Sequence, residues 1–377
     1  MHRALSGCPS ADELRAVFDA PAPLTIGLEE EVFLCDPESL DLAPRAEEVR
    51  EALGNERFKL ELQAAHFELV APPLPDVEAA AAELAAARRR LLADTAGLVR
   101  PLAAGMHPFG GPVGLLNRGG RYELIGEEFG WVVRRQLVCA LQVHVAVGGA
   151  ERTLGVYNGL RPYLPELAAL AANAPFYEGQ DTGLASVRPI IAETLPRQGV
   201  PPHIPSWEAF AEELRWGAAS GAVPEPRLWW WEVRPHTTFG TLEVRVPDAQ
   251  TTVADAGAIA GVVHALVAWL GERHDAGERF PAIETWRIEE NRWSACRHGV
   301  EGTLADLVTG ERRSTRERLH ELLDALEPAG RELRAGPALA RARELVERNG
   351  ALEQRAVGEE RGARGLTEWL AERFDPA

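Results

Sequence analysis

The chain of 377 residues is 46% apolar and 26% charged, enough to bury a large core, which excludes a disordered, fibrous or peptide-like protein. Forty basic residues against 57 acidic ones leave a net charge of −17, so no global basic field draws the protein to nucleic acid or to an anionic membrane surface. Lys59 is the only lysine, which removes a P-loop Gly-Lys-Ser/Thr or a kinase-type phosphate lysine and leaves arginine and metal for any phosphate chemistry.

The four cysteines, Cys8, Cys35, Cys139 and Cys296, stand far apart with no C-x-x-C, which argues against a zinc knuckle or a disulfide scaffold and for a reduced, cytoplasmic setting. Residues 1–20 mix polar side chains into what an export signal would need as an apolar run. No stretch approaches the roughly 18 uninterrupted apolar residues of a membrane span.

In chain order, residues 24–34 read as a strand followed by an Asp36-Pro37 turn, and residues 58–70 as a second strand ended by Pro72, Pro73 and Pro75. Asp76 is a plausible N-cap for an alanine-rich helix over 77–99, whose Arg88, Arg89 and Arg90 read as a solvated face. A third strand is expected over 137–147, with helices over 161–172 and 207–216. Residues 228–234 and 241–246 flank a Pro235-to-Gly240 connection as an antiparallel hairpin. Helical spacing returns at 253–270, 316–326, 338–348 and 366–373. No composition break cuts the chain, so residues 1–377 read as a single catalytic domain with a helical C-terminal part from about 300. Irregular alternation of strands and helices, without a Gly-rich dinucleotide fingerprint, fits an α+β fold on an antiparallel sheet.

Side chains alternate along a strand, so Glu29 and Glu31 share a face with Gly27 while Glu30 points to the other side. Glu61 and Glu68 are seven apart, so a regular strand would oppose them, and a bend near Ala64-Ala65 is needed to aim both inward. Gln142 shares a face with His144, and Glu243 with Arg245. Taken singly, these are a solvated acidic edge, a satisfied core histidine and a cross-strand ion pair. Together, four strands carrying such groups into an apolar sheet are expensive unless something is coordinated, and hard oxygen donors suit Mg²⁺ or Mn²⁺. Arg188 sits in a loop-like stretch suited either to recognising a substrate carboxylate or to bracing the loop. Arg234 and Arg297 read as surface residues, and Trp229-Trp230-Trp231 as packing that is compatible with a homo-oligomer.

Several segments resemble the bacterial carboxylate-amine ligases of the type 2 glutamate-cysteine ligase family. They are Gly27-Leu28-Glu29-Glu30-Glu31, Phe67-Glu68-Leu69-Val70-Ala71-Pro72-Pro73, Ala104-Gly105-Met106-His107-Pro108-Phe109, Gln142-Val143-His144-Val145, Glu178-Gly179-Gln180-Asp181, Thr241-Leu242-Glu243-Val244-Arg245 and Glu290-Asn291-Arg292-Trp293. The resemblance implies a glutamine synthetase-like catalytic fold, a curved antiparallel sheet flanked by helices that binds ATP and Mg²⁺ (or Mn²⁺). It implies activation of a carboxylate, typically the γ-carboxylate of glutamate, as an acyl phosphate that an amine such as that of cysteine attacks. Carried over by motif, Glu29, Glu31, Glu61, Glu68, His144 and Glu243 would hold metal and Arg245 would act on phosphate. Gln142, Arg188, Asn291 and Arg292 would contact substrate or nucleotide.

Gln142 stands where the family usually has the first histidine of His-x-His, and Met106 where a small polar residue is common. An amide is a poor metal ligand. This keeps two other readings in view: a non-catalytic ATP or amino-acid binding protein on the same fold, and a guanidino kinase or glutamine synthetase-type activity. All of these have small-molecule partners and none implies nucleic acid or membrane.

Overall fold

The computed structural model describes residues 8–223 and 228–376. Its largest sheet has seven strands and is built around β1, Ile26–Cys35. Strand β2 is Phe58–Leu60, β3 is His66–Leu74, β4 is Arg100–Leu102 and β5 is Leu141–Val145. After a small hairpin of β6, Phe176–Tyr177, and β7, Gln180–Asp181, come β8, Val233–His236, and β9, Thr241–Val244. The order across the sheet is β2-β3-β1-β5-β9-β8, with β4 pairing the far end of β1, and every pairing is antiparallel. The fold is α+β, as the alternation of strands and helices implies.

One face of the sheet is apolar and covered. Ile26, Leu28, Val32 and Leu34 of β1 are fully buried there, under the helices Val77–Asp94 and Val253–Asp275. The second helix is long and apolar enough to cross a membrane, but 83% of its most apolar window is buried in this protein. Helices Thr315–Glu332 and Gly336–Glu347 pack on its outer side, which makes it the central core helix.

Three expectations are corrected here. The strand expected over 58–70 is two strands, because the chain turns at 61–65 before β3 begins. Strand β3 runs through Pro72 and Pro73 to Leu74, since β2 pairs with β3 only as far as Leu69 and the prolines lie beyond it, where a missing N–H is tolerated beside a register shift at Ile26/Leu28. The alanine-rich helix stops at Asp94, where Thr95 turns its hydroxyl back onto the Leu91 carbonyl at 2.6 Å and Gly97 takes a positive φ of 78°. The chain then enters β4 instead of continuing as helix. Asp76 caps that helix as expected, accepting from the Ala79 amide at 2.9 Å.

Arg88 is not on a solvated face. It is completely buried, with its guanidinium on both oxygens of Glu30 at 2.6 and 2.8 Å and on the carbonyls of Gln250, Thr251 and Phe374. The tryptophan run forms no strand; Trp229 and Trp231 stack with centroids 4.7 Å apart, and Trp229 packs on Phe210.

Candidate active site

The uncovered face of the sheet carries a row of charged and polar side chains, and strand register explains it. Glu31 lies directly opposite Glu68 across β1 and β3, and Lys59 opposite Glu68 across β2 and β3. On the other flank Glu29 pairs with Gln142, Gly27 with His144, His144 with Glu243, and Glu243 with Arg234. The turn at 61–65 brings Glu61 to the same place, so carboxylate oxygens of Glu31, Glu61 and Glu68 lie within 4.8 Å of one another. This is the bend that the seven-residue spacing required.

Like charges placed opposite each other are destabilising, and the acid strengths reflect it. Burial and the neighbouring Glu61 push the Glu31 carboxyl up to about 7, although Ala140 donates its amide to one oxygen and Gln142 its amide to the other, both at 2.7 Å. Burial, then Glu29 and Glu61, hold Glu68 well above the usual carboxylate range. Lys59 stands on this pair of strands, with Nζ 3.3 Å from Glu29 and 3.1 Å from Glu68.

Glu243 is in the opposite condition. Burial works against its charge, but Arg234 and Arg245 outweigh it and hold the carboxyl well below its usual range. Arg234 grips both of its oxygens, at 2.5 and 3.1 Å, and Arg245 bonds Oε1. Its oxygens are thus spent on guanidinium groups, and Glu243 is placed as the anchor of two arginines, apart from the three-carboxylate cluster. Arg245 also donates to Gln142 Oε1 at 2.5 Å. Gln142 therefore links the acidic cluster to the arginine in one hydrogen-bonded chain. His144 bonds Thr241 through Nδ1 at 3.0 Å; its Nε2 is buried with no hydrogen-bond partner, 3.9 Å from Glu29.

An open cleft enclosing about 980 Å³, solvent included, lies over the cluster, lined by Glu31, Glu61, Arg245, Arg188, Arg292 and Trp230 among others. Arg188 is braced from behind by Asp248 at 2.6 Å, and Asp248 also receives the Ser186 hydroxyl at 3.0 Å and the Asn173 amide at 2.7 Å. That carboxylate packs where Gly105 has no side chain; a Cβ there would come within 2.7 Å of Asp248 Cγ. Arg292 bonds Glu232, and its Nη1 lies 2.8 Å from Glu193. Asn291 does not reach the cleft. Both ends of its amide are used on the Ala305 backbone, at 2.7 and 2.8 Å, which pins the helix Thr285–His298 to the strand at 303–305.

Arg234 also departs from its surface reading. It is buried, and its position opposite Glu243 across the hairpin turn could have been found by pairing the two strands in register. Lys59, Asp248, Glu232 and Trp230 were not singled out as site residues, since nothing local in the sequence marks them.

The chain is an α+β protein whose antiparallel sheet has one covered face and one face bearing carboxylates and guanidinium groups, in keeping with the glutamine synthetase-like fold that the resemblance implies. The chain matches the profile of glutamate-cysteine ligase family 2 (GCS2) over residues 25–367, and it belongs to that family. A Rubrobacter xylanophilus protein provisionally named glutamate–cysteine ligase 2-3 is 37% identical over 364 residues, 94% of this chain and 98% of its own length. A Corynebacterium efficiens protein provisionally named glutamate–cysteine ligase 2-1 is 33% identical, covering 89% of this chain and 90% of its own. Two solved structures share the fold at low identity. The glutamate–cysteine ligase of Francisella tularensis in complex with AMP superposes with a TM-score of 0.69 at 12% identity, covering 94% of this chain and 89% of that one. A bifunctional glutathione synthetase from Pasteurella multocida gives 0.61 at 14% identity, covering 97% of this chain and 53% of that one.

Proposed function

We propose that the protein is an ATP-dependent carboxylate–amine ligase that joins the γ-carboxylate of glutamate to an amino-acid amine such as that of cysteine. The observation that carries this reading is the convergence of Glu31, Glu61 and Glu68 beneath a cleft that Arg245 also lines. The γ-phosphoryl group of ATP would pass to the carboxylate, releasing ADP, and the amine would then displace phosphate to leave an amide.

The residues present fit a hard divalent cation. Three carboxylates crowd together, burial and neighbouring carboxylates raise the pKa of Glu31 and Glu68, and the buried His144 Nε2 has no hydrogen-bond partner beside Glu29. Glu31, Glu61 and Glu68 would hold Mg²⁺ or Mn²⁺, with Glu29 and His144 as further donors. When bound, such an ion neutralises charge on the nucleotide phosphates.

The chain's own groups do the rest by position. Glu243 and Gln142 fix the Arg245 guanidinium at the edge of the cleft, where it faces charge developing on the transferred phosphoryl group. Arg188 and Arg292 line the same cleft on carboxylate supports, set to receive a substrate carboxylate. No protein nucleophile is needed. Burial holds the Cys139 thiol well above its ordinary value, so it stays neutral.

The test is ADP release and mass spectrometry of products from ATP, Mg²⁺ and pooled amino acids. A γ-glutamyl amide formed together with free ADP and phosphate supports the reading. Nucleotide binding with no turnover would favour a binding protein, and a phosphorylated acceptor would favour a kinase.

A further inference from the structure

The chain's single lysine lies on its site carboxylates, among 40 basic residues of which all the others are arginine. Lys59 comes from the short strand β2, directly opposite Glu68, and its ammonium sits between Glu68 at 3.1 Å and Glu29 at 3.3 Å. These two carboxylates belong to different strands and would otherwise face each other's charge with nothing between them. The other cations near Glu29 are committed: Arg234 and Arg245 both hold Glu243.

The choice of residue type matters here. A guanidinium would engage carboxylates with a planar fork, as Arg88 does on Glu30, and such a pair does not open easily. An ammonium is a compact point charge on a flexible stem, closer in shape to a small cation than a guanidinium is. The Lys59 side chain is 44% exposed, so it has an open path to solvent, whereas the Glu68 side chain is only 6% exposed. A charge that must hold the carboxylates in place and then leave fits lysine and does not fit arginine.

From this we infer that Lys59 is a displaceable counter-ion. It bridges Glu29 and Glu68 and swings into solvent when a divalent cation held by Glu31, Glu61 and Glu68 takes over the Glu68 carboxylate. The inference rests on the metal site proposed above and adds to it a competitor built into the chain. Metal affinity is then set by the difference between the cation's hold on the carboxylates and the lysine's. Lys59 is a positioning residue in this scheme and touches no substrate.

Two measurements on the full chain with Mn²⁺ alone test it. Free Mn²⁺ counted by electron paramagnetic resonance gives the binding itself. Acetylation of Lys59 by a water-soluble amine reagent, followed by peptide mapping, gives its release, with an added lysine-containing peptide as the standard. The expected result is that saturating Mn²⁺ raises the Lys59 acetylation rate several-fold against the standard. Lys59→Met is expected to bind Mn²⁺ more tightly, by up to about tenfold if the two ion pairs are each worth the usual surface amount. Lys59→Arg is expected to bind it more weakly. If Mn²⁺ binds and the acetylation rate stays the same or falls, the displacement is wrong. If Mn²⁺ binds equally to wild type, Lys59→Met and Lys59→Arg, lysine does not compete, and the inference fails while the metal site stands. If Mn²⁺ binds to none of the three, the metal site itself is overturned, and this inference with it.

Discussion

Glu30 and Arg88 form a two-pronged ion pair with no solvent exposure on either side chain, on the face of the sheet opposite the carboxylate cluster. Three consecutive glutamates of identical chemistry thus have two different surroundings, decided by which way the pleat turns each one. Glu30 holds the sheet to the Val77–Asp94 helix, while Glu29 and Glu31 face the cleft side.

The pair gives a stability prediction. Removing one partner of a buried pair strands the other, at a cost of about 3–5 kcal/mol. Glu30→Gln should therefore lower the urea midpoint strongly while leaving Mn²⁺ affinity of the folded protein near that of wild type. Loss of metal binding with unchanged stability would contradict the assignment of faces.

Glu31→Gln should behave in the reverse way. Its charge is held against burial and against Glu61, so neutralising it relieves repulsion. Stability should be unchanged or higher, and Mn²⁺ affinity should fall by at least about tenfold. Calorimetric titration beside a urea melt reads both quantities.

Arg245→Lys keeps the charge but loses the planar guanidinium, whose Nη1 donates to both Glu243 and Gln142 and so aims the rest of the group. Turnover in the ADP-release assay should drop by roughly 10²-fold or more, the scale of losing one preorganised donor. A near-normal rate would make Arg245 a structural partner of Glu243 only.

The pH dependence of stability should carry a contribution from His107. Its Nε2 donates to the Leu40 carbonyl at 2.9 Å and its Nδ1 accepts from the Gly110 amide at 2.8 Å, so a second proton on the ring would face an N–H. Burial lowers its pKa from 6.5 to about 4. The unfolded chain takes up the proton first, so the stabilisation is fully present above 6.5, is lost as pH falls towards about 4, and amounts to at most about 3 kcal/mol. Urea melts between these limits should show a shallower pH slope for His107→Asn than for wild type.

The alternation of side chains on β1 was legible from the sequence, because a period of two over ten residues leaves little freedom. So were the cap at Asp76 and the hairpin of β8 and β9, though β8 begins only at Val233, past the tryptophans. The meeting of Glu61 with Glu68 was legible only as a condition, since the turn that satisfies it is held by contacts far along the chain: Asn117 donates to the carbonyls of Glu61 and Gln63. Arg88 was misread because a charged run on an alanine-rich helix looks solvated until the element covering it is known. Asn291 carried a family motif, but a motif does not say which way an amide points. Lys59 had no local signal at all; its meaning comes from strand pairing.

Arg88 also has a consequence for the order in which the chain assembles. Its partners lie 58, 163 and 286 residues away, at Glu30, Thr251 and Phe374. While the protein is being synthesised, the Glu30 contact becomes available soon after the Val77–Asp94 helix emerges, the carbonyls of Gln250 and Thr251 follow much later, and that of Phe374 later still. Contacts of such separation form late and slowly. A fragment lacking the stretch around Phe374 therefore loses one carbonyl from the guanidinium and the aromatic ring that covers it at 4.5 Å, so this buried cation gains its full shielding only when that stretch packs.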